Sequence, residues 1–79
     1  MLTLYLKKGC PFSKKVLESL HEEVAADFQV FYKQNADNEK RAREIGGKVQ
    51  FPLLVDEEKD VILYESDAII HYLMENYAR

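Results

Sequence analysis

Between Leu6 and Phe12 the chain changes its hydrophobic period, and few folds accommodate such a change. Leu2, Leu4 and Leu6 alternate with Thr3 and Tyr5, the period-two pattern of a strand, and Gly9 ends it. From Cys10 onward the spacing is helical, with Phe12, Val16, Leu17, Leu20 and Val24 sharing one face. Pro11 suits a first-turn position because its missing N–H would have no partner there anyway. The pattern predicts a helix from about Pro11 to about Ala25. A second strand, Phe28 to Tyr32, follows, so the chain begins with a βαβ unit whose crossover is right-handed.

The remainder extends that unit. Asp37 and Asn38 are cap-type residues, predicting a short polar helix over Glu39 to Ile45 that closes at Gly46-Gly47. Its apolar face is thin, Ala42 and Ile45, and Glu39/Arg43 add an i,i+4 ion pair worth a few tenths of a kcal/mol. Pro52 to Val55 and Val61 to Tyr64 flank the polar stretch Asp56-Glu57-Glu58-Lys59-Asp60 and read as an antiparallel hairpin. Ser66 is placed to cap a last helix, with Asp67 favourable at its positive end and Ile69, Ile70, Leu73 and Tyr77 as its buried stripe. The order β-α-β-α-β-β-α places the chain in the α/β class, with a four-stranded mixed sheet flanked by helices.

Length and charge restrict the function. With 79 residues, one domain spanning 1–79 is expected, burying about 60% of the surface its unfolded chain exposes. Eleven Lys and Arg against fourteen Asp and Glu give a net charge of −3 with no basic stripe, which argues against a nucleic-acid partner. No long apolar run suggests a membrane span, and Met1 to Gly9 is too short and wrongly charged for a signal peptide. The single cysteine excludes an intramolecular disulfide, so a reducing, cytoplasmic setting is expected.

That cysteine is the chemical centre. Cys10 stands at the start of the first helix, where unpaired N–H groups and the helix dipole favour an anion. Lys7, Lys8, Lys14 and Lys15 surround it in sequence, and Ser13 can donate a hydrogen bond to a thiolate. Such surroundings bring a thiol pKa from about 8.5 to as low as about 3.5. A cysteine can also be a small buried apolar residue, but the strand–Gly–Cys–Pro–helix setting favours a reactive thiol. His21 and His71 have no Cys or His partner at ligand spacing and read as surface residues, so no metal is expected. Tyr5, Tyr32, Tyr64, Tyr72 and Tyr77 read as core edges with hydroxyls in water.

Three segments carry a family resemblance. Cys10-Pro11-Phe12-Ser13 after a first strand resembles the glutaredoxin active-site motif with its second cysteine replaced by serine. Val49-Gln50-Phe51-Pro52 resembles the segment before the third strand of that superfamily, where a cis-proline faces the active site. Tyr64-Glu65-Ser66-Asp67-Ala68-Ile69-Ile70, followed by Tyr72-Leu73, is similar to the Glu-Ser-x-Ala-Ile signature of glutathione transferase N-terminal domains, the most specific match of the three. The resemblance spans essentially the whole chain and implies a thioredoxin-like (glutaredoxin) fold.

The resemblance also implies roles. Cys10 would form a mixed disulfide with glutathione, assisted by Ser13, with Pro11 and Pro52 among the residues that bind the tripeptide. Lys7 matches a basic position that contacts the glycine carboxylate. The backbone of Phe51, before Pro52, would pair with the tripeptide like an added strand. Glu65 and Ser66 would hold the γ-glutamyl end, through its ammonium and its carboxylate respectively, and Asp67 could share the ammonium. Without a second cysteine the cycle is monothiol. Glutathione is then a co-substrate, the partners are glutathionylated proteins or small-molecule disulfides, and a monomer is expected.

The leading expectation is therefore a glutathione-dependent oxidoreductase that reduces protein–glutathione mixed disulfides. The alternative is the N-terminal domain of a cysteine-type glutathione transferase, in which an all-helical domain beginning near Arg79 would complete the electrophile pocket. Bridging an iron–sulfur cluster is a further possibility, disfavoured because cluster-binding glutaredoxins typically carry Gly where this chain has Pro11. A glutathione-binding domain without turnover is a fourth.

Overall fold

The computed structural model describes every residue from Met1 to Arg79. Its elements are β1 (Leu2–Leu6), α1 (Pro11–Glu23), β2 (Phe28–Tyr32), α2 (Ala36–Gly46), β3 (Leu53–Asp56), β4 (Val61–Tyr64) and α3 (Ser66–Tyr77). They form one four-stranded sheet in the order β2-β1-β3-β4. β1 runs parallel to β2, with Leu4 opposite Val30, and antiparallel to β3, with Leu4 opposite Leu54. β3 and β4 are the antiparallel hairpin. This is the α/β fold with a mixed four-stranded sheet expected from the order of elements, and the thioredoxin-like fold that the resemblance implies. No helix is long and apolar enough to cross a membrane.

The alternation in β1 divides two cores. Leu2, Leu4 and Leu6 point to one face, where Val16 and Leu20 of α1, Val24 just beyond it, and Ile69 and Leu73 of α3 cover them. Tyr5 points to the other and packs with Leu53, Val55 and Ala42 of α2. Each fully buried aliphatic side chain on these faces contributes roughly 1.5–3 kcal/mol, and the larger core lies under the two helices that frame Cys10.

Several local expectations are corrected. The buried residues of α1 are Ser13, Val16, Ser19 and Leu20, followed by Val24 just past its end, while Phe12 is 61% exposed. Ser13, Val16 and Leu20 are themselves spaced three and four apart, so a serine takes the stripe position that hydrophobicity alone gave to Phe12. Asn35, not Asp37 or Asn38, caps α2, its side chain accepting from the N–H groups of both those residues. Gly47 closes that helix in the left-handed conformation.

Gly46 is the last residue of α2, and a Cβ there would stand 1.8 Å from the Tyr64 hydroxyl oxygen. Glycine lets α2 approach β4 that closely. The Tyr64 hydroxyl donates to the Lys48 carbonyl at 3.2 Å, fastening the loop that leads to Phe51.

Asp56 departs furthest from expectation. Read in sequence as loop, it is the last residue of β3 and only 1% exposed. The hydroxyls of Tyr72 and Tyr77 donate to its Oδ2 at 2.6 and 2.5 Å, and the Lys59 N–H donates to Oδ1 at 3.4 Å. Burial works against the charge, yet these donors and the Glu58 N–H outweigh it and hold the carboxyl below its ordinary pKa. The two tyrosine hydroxyls are thus part of a buried network tying α3 to the sheet.

Candidate active site

The site begins where β1 hands over to α1. Gly9 takes φ +80°, a left-handed conformation that costs a side-chain-bearing residue free energy, and this turns the chain out of the sheet. Cys10 follows as N-cap in extended conformation (φ −93°, ψ 122°), its carbonyl accepting the first helical bond from the Lys14 N–H at 3.0 Å. Pro11 occupies the first helical position. Because it has no N–H, the donors nearest the cysteine are those of Phe12 and Ser13.

As a neutral thiol Cys10 makes no capping hydrogen bond. As a thiolate it meets several stabilising groups, and its pKa is lowered. The Ser13 N–H contributes most, partial burial opposes it, and the Phe12 N–H, the Ser13 hydroxyl and the Lys7 charge add to the lowering. Ser13 is 2% exposed, and its Oγ accepts the Lys7 N–H at 3.0 Å. That bond leaves the Ser13 proton free to point at the sulfur.

Two depressions adjoin this junction. One, of about 380 Å³, is lined by Lys7, Lys8, Cys10, Pro11, Ser13 and Lys14, with Gly9 and Leu17 completing it. The other, of about 310 Å³, is a groove lined by Phe12, Gln50, Phe51, Pro52, Glu65, Ser66 and Asp67. The site residues expected from sequence therefore separate into two groups. Lys7 shares a depression with Cys10, Pro11 and Ser13, and not with Phe51, Pro52, Glu65, Ser66 and Asp67. Sequence reasoning missed Phe12 and Gln50 as groove residues. Helical spacing assigns Phe12 to the core stripe, and the one contrary signal is that its neighbour Ser13 fits that stripe as well.

The Phe51–Pro52 peptide bond is cis. Phe51 lies outside the strands, and its backbone N–H and C=O bond to no other backbone group of the chain. Glu65 is the N-cap of α3 and adopts φ 76°, ψ 124°, a conformation that costs a residue other than glycine about 1–3 kcal/mol. Ser66 is consequently the first helical residue rather than the cap, and it is 7% exposed. The Asp67 carboxylate is engaged by Lys15 Nζ at 2.9 Å, an ion pair between α3 and α1. Of the histidines, His21 lies edge-on to Phe28 and His71 pairs with Glu75, both away from Cys10. No three His, Cys, Asp or Glu side chains gather in a way that could hold a metal ion.

Comparison with known proteins assigns the family. Residues 4–79 match the family model described as glutathione S-transferase, N-terminal domain. The chain belongs to this family. Among solved structures, this glutathione S-transferase N-terminal domain resembles an unclassified glutathione S-transferase from the silkworm Bombyx mori, with a TM-score of 0.81 and 21% identity over 99% of the chain. A glutathione transferase homologue from Sulfitobacter, solved with bound glutathione, gives 0.75 and 29% over 95%. A glutathione S-transferase from the Antarctic clam Laternula elliptica gives 0.74 and 29% over 96%. The chain spans 36%, 36% and 35% of those three proteins' chains respectively, so the likeness concerns one portion of each. A search of curated proteins finds no significant match.

Proposed function

We propose that this domain binds glutathione in the groove beside Phe51, Pro52, Glu65 and Ser66, and that Cys10 exchanges disulfides with it as a monothiol oxidoreductase. The observation that carries the reading is the Cys10 sulfur, set among the donors of the first turn of α1 and lowered in pKa by them. Family membership and the glutathione bound in the Sulfitobacter homologue support the ligand. The unpaired backbone of Phe51 supports strand-like capture of a tripeptide. Ser66 and the free N–H groups at the start of α3 suit the γ-glutamyl carboxylate, and Glu65 suits its ammonium. In the other depression, Lys7 would serve a glycine carboxylate reaching past the thiol.

The cycle has two exchanges. The Cys10 thiolate attacks the glutathione sulfur of a mixed disulfide, forming a Cys10–glutathione bond and releasing the partner as its thiolate. A second glutathione thiolate then attacks the glutathione sulfur of that adduct, freeing Cys10 and giving oxidised glutathione. A low thiol pKa raises the thiolate fraction at neutral pH and makes Cys10 a good leaving group in the second step. Glutathionylated proteins or small disulfides are the substrates, in a reducing compartment.

One observation favours a second reading. The chain covers little more than a third of each matching transferase, so the same groove and thiol could serve as the glutathione-binding part of a conjugating enzyme. Turnover of a glutathionylated peptide, set against conjugation of chlorodinitrobenzene, separates them. The oxidoreductase reading expects peptide reduction that disappears in Cys10→Ser, with a single glutathione adduct on Cys10 by mass spectrometry. Conjugation without peptide reduction would overturn it.

A further inference from the structure

The sign of charge beside Cys10 runs against that of the molecule. The chain carries a net charge of −3, yet Lys7, Lys8 and Lys14 all line the 380 Å³ depression that holds the thiol, and no carboxylate lines it. None of the three is in an ion pair. The chain's pairs engage Lys15, Lys33, Arg43 and His71 instead. The Lys8 ammonium rests over the Tyr32 ring, 5.1 Å from its centroid, which restrains it near the rim. Leu17 adds an apolar contact.

The groove of Glu65 and Ser66 uses neither Lys8 nor Lys14. Its own charged side chains are acidic, and one of these, Asp67, is already met by Lys15. The thiol thus lines a basic depression, and the acidic groove is bordered by Phe12, two residues further along the chain. A cleft lined by one sign of charge focuses the field, raising encounter rates for a complementary partner by about 10–10³, and the gain falls as salt is added.

We propose that the basic depression selects the second reactant of Cys10 by charge, favouring disulfides whose leaving half carries carboxylates or another anionic group near the S–S bond. This rests on the reading of Cys10 as an exchanging thiolate and names the substrate class that the reading leaves open. The step itself is balanced. The Cys10 sulfur attacks one disulfide sulfur, a new S–S bond forms as the old one breaks, and the electron pair departs on the leaving sulfur as a thiolate. Lys8 and Lys14 touch no reacting atom in this scheme. They concentrate and orient the anionic half, while Leu17 packs against its apolar stem.

The test uses the full, reduced chain, whose single cysteine makes every released chromophore a report on Cys10. Second-order rates are measured with a dianionic bis(nitrobenzoate) disulfide and with a neutral dipyridyl disulfide, at about 0.02 M and about 0.5 M salt. The proteins are wild type, the reversal Lys8→Glu/Lys14→Glu and the neutralised Lys8→Gln/Lys14→Gln. All these positions are exposed, and circular dichroism checks that the variants fold. The ratio of the anionic to the neutral rate is expected to fall at least about tenfold in the reversal, less in the neutralised variant, and with added salt in the wild type. A ratio unchanged by the reversal overturns charge selection and leaves the oxidoreductase reading standing. Rates no faster than free cysteine with both probes would overturn that reading and the selection with it.

Discussion

Replacing Tyr72 by Phe removes one oxygen from the most buried charge in the domain and leaves the ring in place. Tyr72 Oη donates to Asp56 Oδ2 at 2.6 Å, and Asp56 is 1% exposed. A hydrogen bond to a charged acceptor is worth about 1.5–3 kcal/mol. Asp56 keeps Tyr77 and the Lys59 N–H as donors, so the loss should not reach the cost of an orphaned buried charge. For a domain of this size that energy lowers the melting temperature by roughly 6–24 °C.

The sign with pH follows from the direction of the Asp56 shift. Its folded-state pKa is depressed, so its stabilisation is present above the unfolded value of about 3.9 and is lost as pH falls through the folded value. Once Asp56 is protonated, Tyr72 donates to a neutral acid, and the loss should shrink to about 0.5–1.5 kcal/mol. Urea unfolding of wild type and Tyr72→Phe at neutral pH and at a pH below the folded-state titration of Asp56, located by its own pH series, measures both values. A melting temperature unchanged at neutral pH would refute the network. So would an equal loss at both pH values, because the charge would then contribute nothing.

Three further outcomes follow from the same structure. Ser13→Ala removes the buried hydroxyl that accepts the Lys7 N–H and donates to the thiolate. It should cost about 1–3 kcal/mol in urea unfolding and move the Cys10 alkylation midpoint to higher pH, leaving the larger contribution of the Ser13 N–H in place. Gly46→Ala sets a Cβ against the Tyr64 ring and should destabilise by about 1–3 kcal/mol, and by less in a Tyr64→Leu background, a coupling a double-mutant cycle reads directly. At alkaline pH the Asp56 hydrogen bond and burial raise Tyr77 to about 12, and burial together with the Asp56 hydrogen bond raises Tyr72 as well. Stability from their protonated forms should therefore persist below the unfolded value of about 10 and decline as pH rises above it, as a thermal melt series can show.

The fold was legible because two periodicities meet at Gly9-Cys10-Pro11 and recur down the chain. β1 lies where alternation puts it, β2 and β4 lie where the apolar runs between polar turns put them, and α1 starts at Pro11. What escaped depends on distant partners. Asp56 looks like a hairpin-loop residue until α3 brings Tyr72 and Tyr77 to its carboxylate. Phe12 fits the helical stripe by spacing, but spacing says nothing of where along the helix the packing partner ends, and Phe12 faces the groove instead. The cap of α3 was misplaced by one residue because Glu65 adopts a positive φ that its side chain does not advertise. Cys10 and Ser13 were readable from local chemistry. The division of the site residues between two depressions was not, because linear order does not tell which side of a thiol each lysine takes.

The central claim is that Cys10 is poised as a thiolate by the groups around it. The rate of its alkylation by iodoacetamide as a function of pH tests this most directly, since the thiolate alone reacts. A midpoint shifted clearly below that of free cysteine, and moved upward by Ser13→Ala, is the expected result. A midpoint at about 8.5, the value for a cysteine with no such neighbours, would contradict the claim.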